Sequence, residues 1–186
     1  MNNLTMFCLT LEPSHLDFIK KLNYIPVGLG EKKFSNEWLT DKDGENISEK
    51  NKNYGEYTFH YWLWKNHIKK INTNWIGFGQ YRKFWTIKNY DNAKLDMSKM
   101  NSLAIKEIPE NFDDCEVILG HPFYVNQRRI SKFIKKGFRM ILKKPSILFN
   151  KKLRTLKFHF DLMHGENNLQ RAINLLDDKY KNSFND

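Results

Sequence analysis

Two neighbouring segments of the chain contain most of the side chains that could bind a ligand or transfer a proton. The first spans residues 41–66 and begins with a polar run before an aromatic stretch. The members of that run are Asp41, Asp43, Glu45, Asn46, Ser48, Lys50 and Asn51. The second spans residues 74–84, where Gln80-Tyr81-Arg82-Lys83 follows an apolar stretch. Helix starts attract anions, and cations at the carboxyl end of a strand suit a phosphate, so the sequence predicts an anion site at one sheet edge.

Each of these side chains also has a purely structural interpretation. Asn46 could only cap a helix, and Asp43 and Glu45 could only favour the helix dipole. Arg82 could only pair with a carboxylate at the surface. Both segments fall at the same predicted sheet edge, which keeps the ligand-binding interpretation open beside the structural one.

The elements that must position these residues alternate between strands and helices. The predicted strands are Leu4–Thr10, Tyr24–Leu29, Trp75–Phe78 and Glu116–Leu119. The predicted helices begin at Glu12-Pro13-Ser14 and near Asn46, where Glu49 gives the capping-box spacing, and include Ile130–Leu142 and Leu169–Leu176. We expect the second of these helices to be mostly buried, residues 31–45 to be largely a surface loop, and residues 86–114 to be loop with a short helix. This alternation predicts an α/β domain with at least partly parallel strands.

Composition excludes several classes of protein. The chain has 186 residues, of which 40% are hydrophobic and 15% aromatic, so it can build a packed core. It shows no signal-peptide pattern and no apolar stretch of about 18 residues, as a membrane span would need. Its two cysteines, Cys8 and Cys115, cannot form a disulfide framework. We therefore expect a soluble protein on the reducing side of the membrane.

Metal and proton-transfer motifs outside the two segments are weak. Asp41-Lys42-Asp43 and Asp113-Asp114 are acidic pairs of a kind that is common in loops. His159, Asp161 and His164 have a spacing that could bind a metal or transfer protons. Their alternative interpretation, which we favour, is two surface or hydrogen-bonded histidines in a helix-to-loop turn. The sequence predicts no metal site.

Positive charge is concentrated in one segment. The 31 Lys and Arg outnumber the 21 Asp and Glu by ten, and residues 128–157 contain 12 Lys or Arg and no acid. Within it, Lys132, Lys135, Lys136 and Arg139 lie opposite an apolar stripe at helical spacing. This pattern is typical of a helix on an anionic membrane, but also of a core-packed helix with a solvated lysine face. Nucleic-acid binding is the least favoured alternative, because no nucleic-acid-binding signature is present.

The polar run, the aromatic stretch and the basic strand end together resemble the DUF4422 family. The matching pattern is D-x-x-G-x-N-I-S-x-K-N-x-x-Y-x-E-x-T-x-x-Y-W-x-W-K-N followed by Y-R-[RK]-[YF]. The residues that carry it are Asp41, Gly44, Asn46, Ile47, Ser48, Lys50, Asn51, Tyr54, Glu56, Thr58, Tyr61, Trp62, Trp64, Lys65, Asn66, Tyr81, Arg82, Lys83 and Phe84. The family usually has Cys at the position of Gly55 and His at that of Gln80. Its members tend to continue further, so the resemblance suggests a C-terminally shortened member.

This resemblance implies a fold and a function. Members of the family are regarded as glycosyltransferases of capsular and exopolysaccharide loci. The implied fold is a GT-A-like nucleotide-sugar-binding domain with a mixed, mostly parallel sheet flanked by helices. We expect the α/β core to span residues 1–127, and the basic helix and C-terminal helical segment, 128–186, to pack on the same domain. The expected location is cytoplasmic, at the inner face of the plasma membrane.

Roles for individual residues follow from the resemblance. The donor-binding candidates are Asp41, Asn46, Ser48, Lys50, Asn51, Tyr54, Tyr81, Arg82 and Lys83. The catalytic candidates are Asp43, Glu45 and Glu56 as general base, together with Gln80 and Arg82. We expect Arg82 and Lys83 to stabilise the departing diphosphate, with Mn²⁺ or Mg²⁺ as the less favoured alternative and no cofactor required. The expected partners are a nucleotide-sugar donor, a saccharide or lipid-diphosphate-linked acceptor and an anionic membrane, and no specific nucleic acid.

A different class of function competes with this hypothesis. Gln80 can hydrogen-bond but cannot act as a general base near neutral pH. The alternative is therefore a non-catalytic module that binds a nucleotide sugar or a saccharide. A third hypothesis is a nucleic-acid-binding protein that acts through residues 128–157.

Overall fold

The chain folds into two compact units, Met1–Gly120 and His121–Asp186, in a computed structural model. The structure describes residues 3–86, 88, 97–112, 114–121, 124, 138, 141–143 and 145–185. The predicted boundary after residue 127 and the predicted packing of the C-terminal segment on the core stay predictions. Among the helices that the structure describes, none is long and apolar enough to cross a membrane.

A parallel sheet forms the centre of the first unit. Its strands are β1 (Leu4–Thr10), β2 (Ile25–Gly28), β3 (Leu39–Thr40) and β4 (Trp75–Gln80). They lie in the order β3-β2-β1-β4, and every pairing between them is parallel. Phe7 pairs with Ile25 on one side and with Phe78 on the other, which places β1 inside the sheet. The predicted α/β class is confirmed.

Seven α-helices are described in the two units. In the first unit they are α1 (Leu16–Lys21), α2 (Asn51–Tyr54), α3 (Tyr57–Asn66) and α4 (Met100–Leu103). In the second unit they are α5 (Leu156–His164), α6 (Asn168–Asn174) and α7 (Asp178–Asn185). Short 3₁₀ turns precede α1 at Pro13–His15 and α2 at Ser48–Lys50. The predicted strands at the positions of β1, β2 and β4 are confirmed, as are the helices at α1 and α6.

The core lies on both faces of the sheet because successive side chains of a strand point to opposite faces. On one face, Leu4, Met6 and Cys8 of β1 pack with Ile19 of α1 and with Leu22, which follows it. On the other face, Phe7 and Leu9 pack with Phe59, Trp62 and Leu63 of α3. Each face is therefore covered by helix, which leaves the strand ends as the places where loops can form a site.

Three local predictions differ from the structure. The helix predicted to begin near Asn46 starts instead as a 3₁₀ turn at Ser48–Lys50, continues as α2, and is interrupted before α3 at Gly55, whose φ is +56°. The helix is only partly buried: Phe59, Trp62 and Leu63 lie in the core, whereas Tyr57 and Trp64 are 65% and 60% exposed. Glu116–Leu119 forms no strand; its Val117 and Leu119 are 68% and 82% exposed.

Three further predictions concern a loop, a pair of histidines and a helix. The segment 31–45 is largely an exposed loop, as predicted, and within it lie the short strand β3 and the buried Trp38 and Asp41. His159 lies within α5, whereas His164 is the exposed last residue of α5, where the helix passes into a loop at Gly165. Most of the predicted helix Ile130–Leu142 lies outside the described residues, although residues 141–143 are helical and a 3₁₀ turn begins at Pro145.

Candidate functional site

The carboxyl ends of the four strands lie at the same edge of the sheet because all four are parallel. The chain leaves this edge after Thr10, Gly28, Thr40 and Gln80. Ligands of open α/β sheets bind at this edge. The polar run that begins at Asp41 and the basic residues that follow Gln80 are therefore both at the carboxyl edge, separated by β2 and β1.

The loops after β1 and β4 are joined by aromatic stacking. The His15 and Tyr81 rings lie with their centroids 4.4 Å apart and their planes inclined by 21°. His15 Nδ1 is 2.8 Å from Oγ1 of Thr10, a buried residue at the end of β1. The Arg82 guanidinium lies over the Tyr81 ring, with Cζ 4.8 Å from the ring centroid. The stack therefore fixes a cation above the centre of the carboxyl edge.

A tight turn presents this cation to solvent. The backbone N–H and carbonyl groups of Gln80 and Lys83 hydrogen-bond to each other in both directions at 3.0 Å, with Tyr81 and Arg82 at the tip. Arg82 and Lys83 are exposed. No carboxylate in the described parts of the chain lies within ion-pair distance of either cation. Their charges are therefore free to attract an anion.

The polar loop after β3 is held against α3 by side chains of that helix. Asn66 Oδ1 accepts from the Glu45 N–H at 3.1 Å, and Asn66 Nδ2 donates to the Glu45 carbonyl at 2.8 Å. Trp62 Nε1 donates to the Asp43 carbonyl at 2.6 Å. Gly44 has φ +65°, and a Cβ there would overlap Asn66 Oδ1. The predicted base candidates Asp43 and Glu45 thus lie in a loop whose backbone is fixed by α3.

Glu45 is engaged by two side chains of α3. Tyr61 donates from its hydroxyl to Glu45 Oε1 at 2.7 Å, and Lys65 Nζ lies 3.0 Å from the same oxygen. The hydrogen bonds from Tyr61 and Lys65 hold the pKa of the Glu45 carboxyl below its ordinary value. A carboxylate with a lowered pKa is a weaker proton acceptor. Its contacts therefore fit a structural role better than that of a general base.

The predicted donor-binding amides shape the same loop. Asn46 Nδ2 donates to the carbonyls of Lys42 and Gly44, both at 2.9 Å, while its Oδ1 accepts from the Ser48 hydroxyl at 2.8 Å. Asn51 Nδ2 donates to the Gly55 carbonyl and to Thr58 Oγ1. These bonds occupy the donor groups of both amides, so Asn46 and Asn51 mainly position the backbone around them.

A cavity of about 660 Å³ opens between the loops after β1, β2 and β3. Its walls include Leu11 and Leu29, the backbone at Gly30, and the polar side chains of Ser48 and Asn51. Three lysines line it, at positions 32, 42 and 52; Lys32 pairs with Glu12, and Lys42 and Lys52 have no carboxylate partner in the described ranges. We call this cavity the carboxyl-edge pocket. The carboxylates of Glu12, Glu31 and Glu49 also line it, so the charges around the pocket are mixed. Its apolar wall and the unpaired Lys42 and Lys52 are the features suited to an aromatic base that carries phosphates.

Several predicted residues lie away from this pocket. Lys50 and Tyr54 are exposed and are not part of its wall. Asp41 is fully enclosed, and neither carboxylate oxygen has a hydrogen-bond partner among the residues that the structure describes. Asp41 thus presents no surface to a ligand in this conformation. Glu56 and Gln80 are brought together instead, because Gln80 Nε2 donates to Glu56 Oε2 across the start of α3.

Of the residues that line the carboxyl-edge pocket, only Ser48 and Asn51 were predicted site residues. Lys42 and Lys52 lie within the predicted segment, and their charge was the available signal. Glu12 and His15 follow β1, and their position after the first predicted strand was the only indication. The predicted membrane contacts Lys132, Lys135, Lys136 and Arg139 lie outside the described residues. In the described parts of the chain, no group of three or more His, Cys, Asp or Glu side chains could hold a metal ion.

Comparison with known proteins yields one match. A family model described as a domain of unknown function, DUF4422, matches residues 9–186. No curated protein and no solved structure matches the chain. The family match covers nearly the whole length, including the loops of the carboxyl edge and the second unit.

Proposed function

The chain belongs to the DUF4422 family, and from that premise we propose that it is a glycosyltransferase of cell-surface polysaccharide synthesis. It transfers a sugar from a nucleotide-sugar donor to a saccharide or lipid-linked acceptor. The GT-A-like type of α/β fold is part of this proposal. The donor lies at the carboxyl edge of the sheet.

The observation that carries the proposal is the combination of a pocket and free cations at this edge. The carboxyl-edge pocket offers apolar walls with Lys42 and Lys52 at its rim. Arg82 lies on the adjacent turn, stacked on Tyr81 beside the β1 loop. A nucleoside in the pocket would extend its diphosphate along the strand order toward Arg82 and Lys83. This arrangement supports a nucleoside diphosphate as the recognised group.

The same cations fit the chemistry of sugar transfer. When the bond between the anomeric carbon and the diphosphate oxygen breaks, its electron pair passes to the leaving diphosphate. A fixed guanidinium then binds the leaving group more tightly than the intact donor, which lowers the barrier. Glu56 is the base candidate nearest to this turn, since it accepts a hydrogen bond from Gln80. It takes the proton of the attacking hydroxyl as the new glycosidic bond forms.

A thermal-shift panel of UDP-, GDP-, CDP- and dTDP-sugars, with and without Mn²⁺, tests the proposal. A ligand present at about 100 times its Kd stabilises the folded protein by about 2.7 kcal/mol. For a protein of this size, that raises the Tm by about 5–10 °C. We expect one nucleotide class to give such a shift. No shift with any donor, in a sample that unfolds cooperatively, would contradict the proposal.

A non-catalytic binding module is the second candidate. The observation that favours it is the amide of Gln80, which occupies the position of a usual family histidine and is bonded to Glu56. An amide cannot accept a proton near neutral pH. The two candidates differ in turnover: donor hydrolysis or transfer to a glycan supports the enzyme, and donor binding without either supports the module.

Association with an anionic membrane surface, on the cytoplasmic side of the plasma membrane, completes the proposal. Residues 128–157 carry 12 Lys or Arg and no acid. In the second unit Phe138, Leu142 and Phe149 are 61%, 65% and 88% exposed. Cationic and apolar surface in the same segment supports interfacial binding. We expect sedimentation with phosphatidylglycerol vesicles and not with phosphatidylcholine vesicles; binding to an RNA oligonucleotide without vesicle binding would contradict it.

A further inference from the structure

A second cavity lies at the carboxyl end of β4, beside the Tyr81–Arg82 turn. We propose that it binds one pyranose ring of the acceptor saccharide. Its role in transfer rests on the proposed function, whereas its binding of a sugar does not. We call it the β4 pocket; its volume is about 330 Å³, which suits a small ligand.

Three aromatic residues lie around the β4 pocket, and the rings of Phe84 and Trp85 belong to the core on one face of the sheet. Phe78, Phe84 and Trp85 line the pocket. Trp85 is fixed in orientation, because its Nε1 donates to the Phe78 carbonyl at 2.8 Å. Phe84 is held from behind by an edge-on contact with Phe18, at 5.6 Å between ring centroids. The C–H face of a pyranose packs against rings of this kind, and preformed rings cost little entropy on binding.

Polar side chains also line the β4 pocket. Glu56 and Gln80 line the pocket and are hydrogen-bonded to each other, while Lys83 supplies a cation at the same place. Both Glu56 and Gln80 are partly buried, so water competes weakly for their remaining hydrogen-bonding atoms. A carboxylate and an amide present acceptors and a donor at short range, which matches adjacent sugar hydroxyls. The wall and the polar pair together describe a carbohydrate site.

This position gives Gln80 and Glu56 separate roles. Gln80 holds the carboxylate and offers its amide oxygen to a sugar hydroxyl, which makes it a positioning residue. Glu56 then faces the acceptor hydroxyl that reacts. The hydroxyl proton passes to the Glu56 carboxylate, its oxygen bonds to the anomeric carbon of the donor sugar, and the diphosphate leaves with the electron pair toward Arg82.

The strand order is consistent with separate donor and acceptor pockets at the carboxyl edge. The carboxyl-edge pocket lies by β3, β2 and β1, and the β4 pocket lies beside β4, the next strand in the sheet. The turn that carries Arg82 follows β4 and reaches the loop after β1 through the stack of Tyr81 on His15. A leaving diphosphate at this turn would therefore have the nucleoside on one side and the acceptor on the other.

Saturation-transfer NMR with a panel of methyl pyranosides tests the inference on the full chain without any nucleotide. We expect at least one pyranoside to bind. Glu56→Gln removes a charged hydrogen-bond acceptor and Gln80→Leu removes the amide, and each variant should weaken binding by about tenfold. Glu107→Gln, which changes an exposed carboxylate outside the pocket, is the matched control and should leave the Kd unchanged.

Trp85→Leu removes an aromatic ring from the pocket and should also weaken pyranoside binding. Its control is Trp64→Leu, because Trp64 is exposed and lies outside the pocket. If Trp85→Leu does not fold, the two polar variants still decide the question. Binding of no pyranoside to the folded protein, or equal binding by wild type, Glu56→Gln and Gln80→Leu, would overturn the inference.

The nucleotide panel separates this outcome from the proposed function. Pyranoside binding without nucleotide binding keeps the β4 pocket as a sugar site and removes the donor site. Nucleotide binding without pyranoside binding supports the donor site and overturns the assignment of the β4 pocket as a sugar site.

Discussion

The imidazole of His15 and the phenol of Tyr81 stack with their centroids 4.4 Å apart, although 66 positions separate them in the chain. This contact links the loop after β1 to the turn after β4. It also sets the position of Arg82, whose guanidinium lies over the Tyr81 ring. The stack is therefore the structural support of the proposed diphosphate contact.

Removal of this stack should weaken nucleotide binding. We expect Tyr81→Ala to raise the Kd of the best nucleotide sugar several-fold, because Arg82 loses the ring that orients it. Tyr81→Phe keeps the ring and should bind as the wild type does. Titration calorimetry on the three proteins measures this difference, and a Tyr81→Ala protein with an unchanged Kd would show that the stack has no part in binding.

The loop after β3 should depend on glycine at position 44. Gly44 has φ +65°, and a residue with a Cβ is strained in this left-handed conformation by about 1–3 kcal/mol. In Gly44→Ala the Cβ would also overlap Asn66 Oδ1. We expect the Tm to fall by about 2–4 °C for each kcal/mol lost. Gly120→Ala is the control, since its Cβ would only meet Trp85 at an ordinary 3.9 Å. Equal Tm values for the two variants would mean that the loop moves freely away from α3.

The stability of the protein should fall in mild acid partly through His60. Burial lowers the pKa of the His60 imidazole below its ordinary value of 6.5, against a smaller opposite effect of Glu56. The unfolded chain therefore binds this proton more readily than the folded protein does. The contribution of His60 to stability is complete above about pH 6.5 and is lost as the pH falls from there toward the lower pKa of the folded state.

Replacement of His60 with a residue that does not titrate should reduce the pH dependence of the Tm. We expect the Tm of His60→Gln to fall less than that of the wild type between about pH 7 and about pH 5. His121→Gln, an exposed histidine, should keep the wild-type slope. Parallel slopes for wild type and His60→Gln in scanning calorimetry would contradict the assignment.

The two cysteines should differ in reactivity. Burial raises the pKa of the Cys8 thiol to about 12, and Cys8 lies inside β1, whereas Cys115 is exposed. The thiolate is the reactive form, so Cys8 should be inert in the folded protein. We expect a chromogenic disulfide reagent to modify one thiol in the native state and two after denaturation. Rapid modification of both in the native state would mean that β1 is accessible.

The strands that the sequence predicts are those with a local signal. Leu4–Thr10 is an apolar run, and its bounds agree with β1. Leu39–Thr40 has no such signal, because it is two residues long and becomes a strand only through its pairing with Val27 and Gly28. Glu116–Leu119 has the apolar run but no strand partner in the described part of the chain, and so remains irregular.

The candidate site shows the same limit. The basic turn and the polar loop could be located by residue type, because their charges and amides are local features. The contact between His15 and Tyr81, the enclosure of Asp41 and the pairing of Glu56 with Gln80 depend on strand order. Order within a sheet is a long-range property that residue spacing does not encode.

The central claim is that the carboxyl edge binds a nucleoside diphosphate through Arg82. Its most direct test is titration calorimetry of the best nucleotide sugar into wild type, Arg82→Ala and the control Arg171→Ala, with the Tm of each protein measured in parallel. We predict one site per chain and a Kd raised about tenfold or more in Arg82→Ala, since a charge-assisted hydrogen bond is worth about 1.5–3 kcal/mol. The Tm of Arg82→Ala and the Kd of Arg171→Ala should match the wild type. An unchanged Kd in Arg82→Ala, or a loss of stability with binding intact, would contradict the claim.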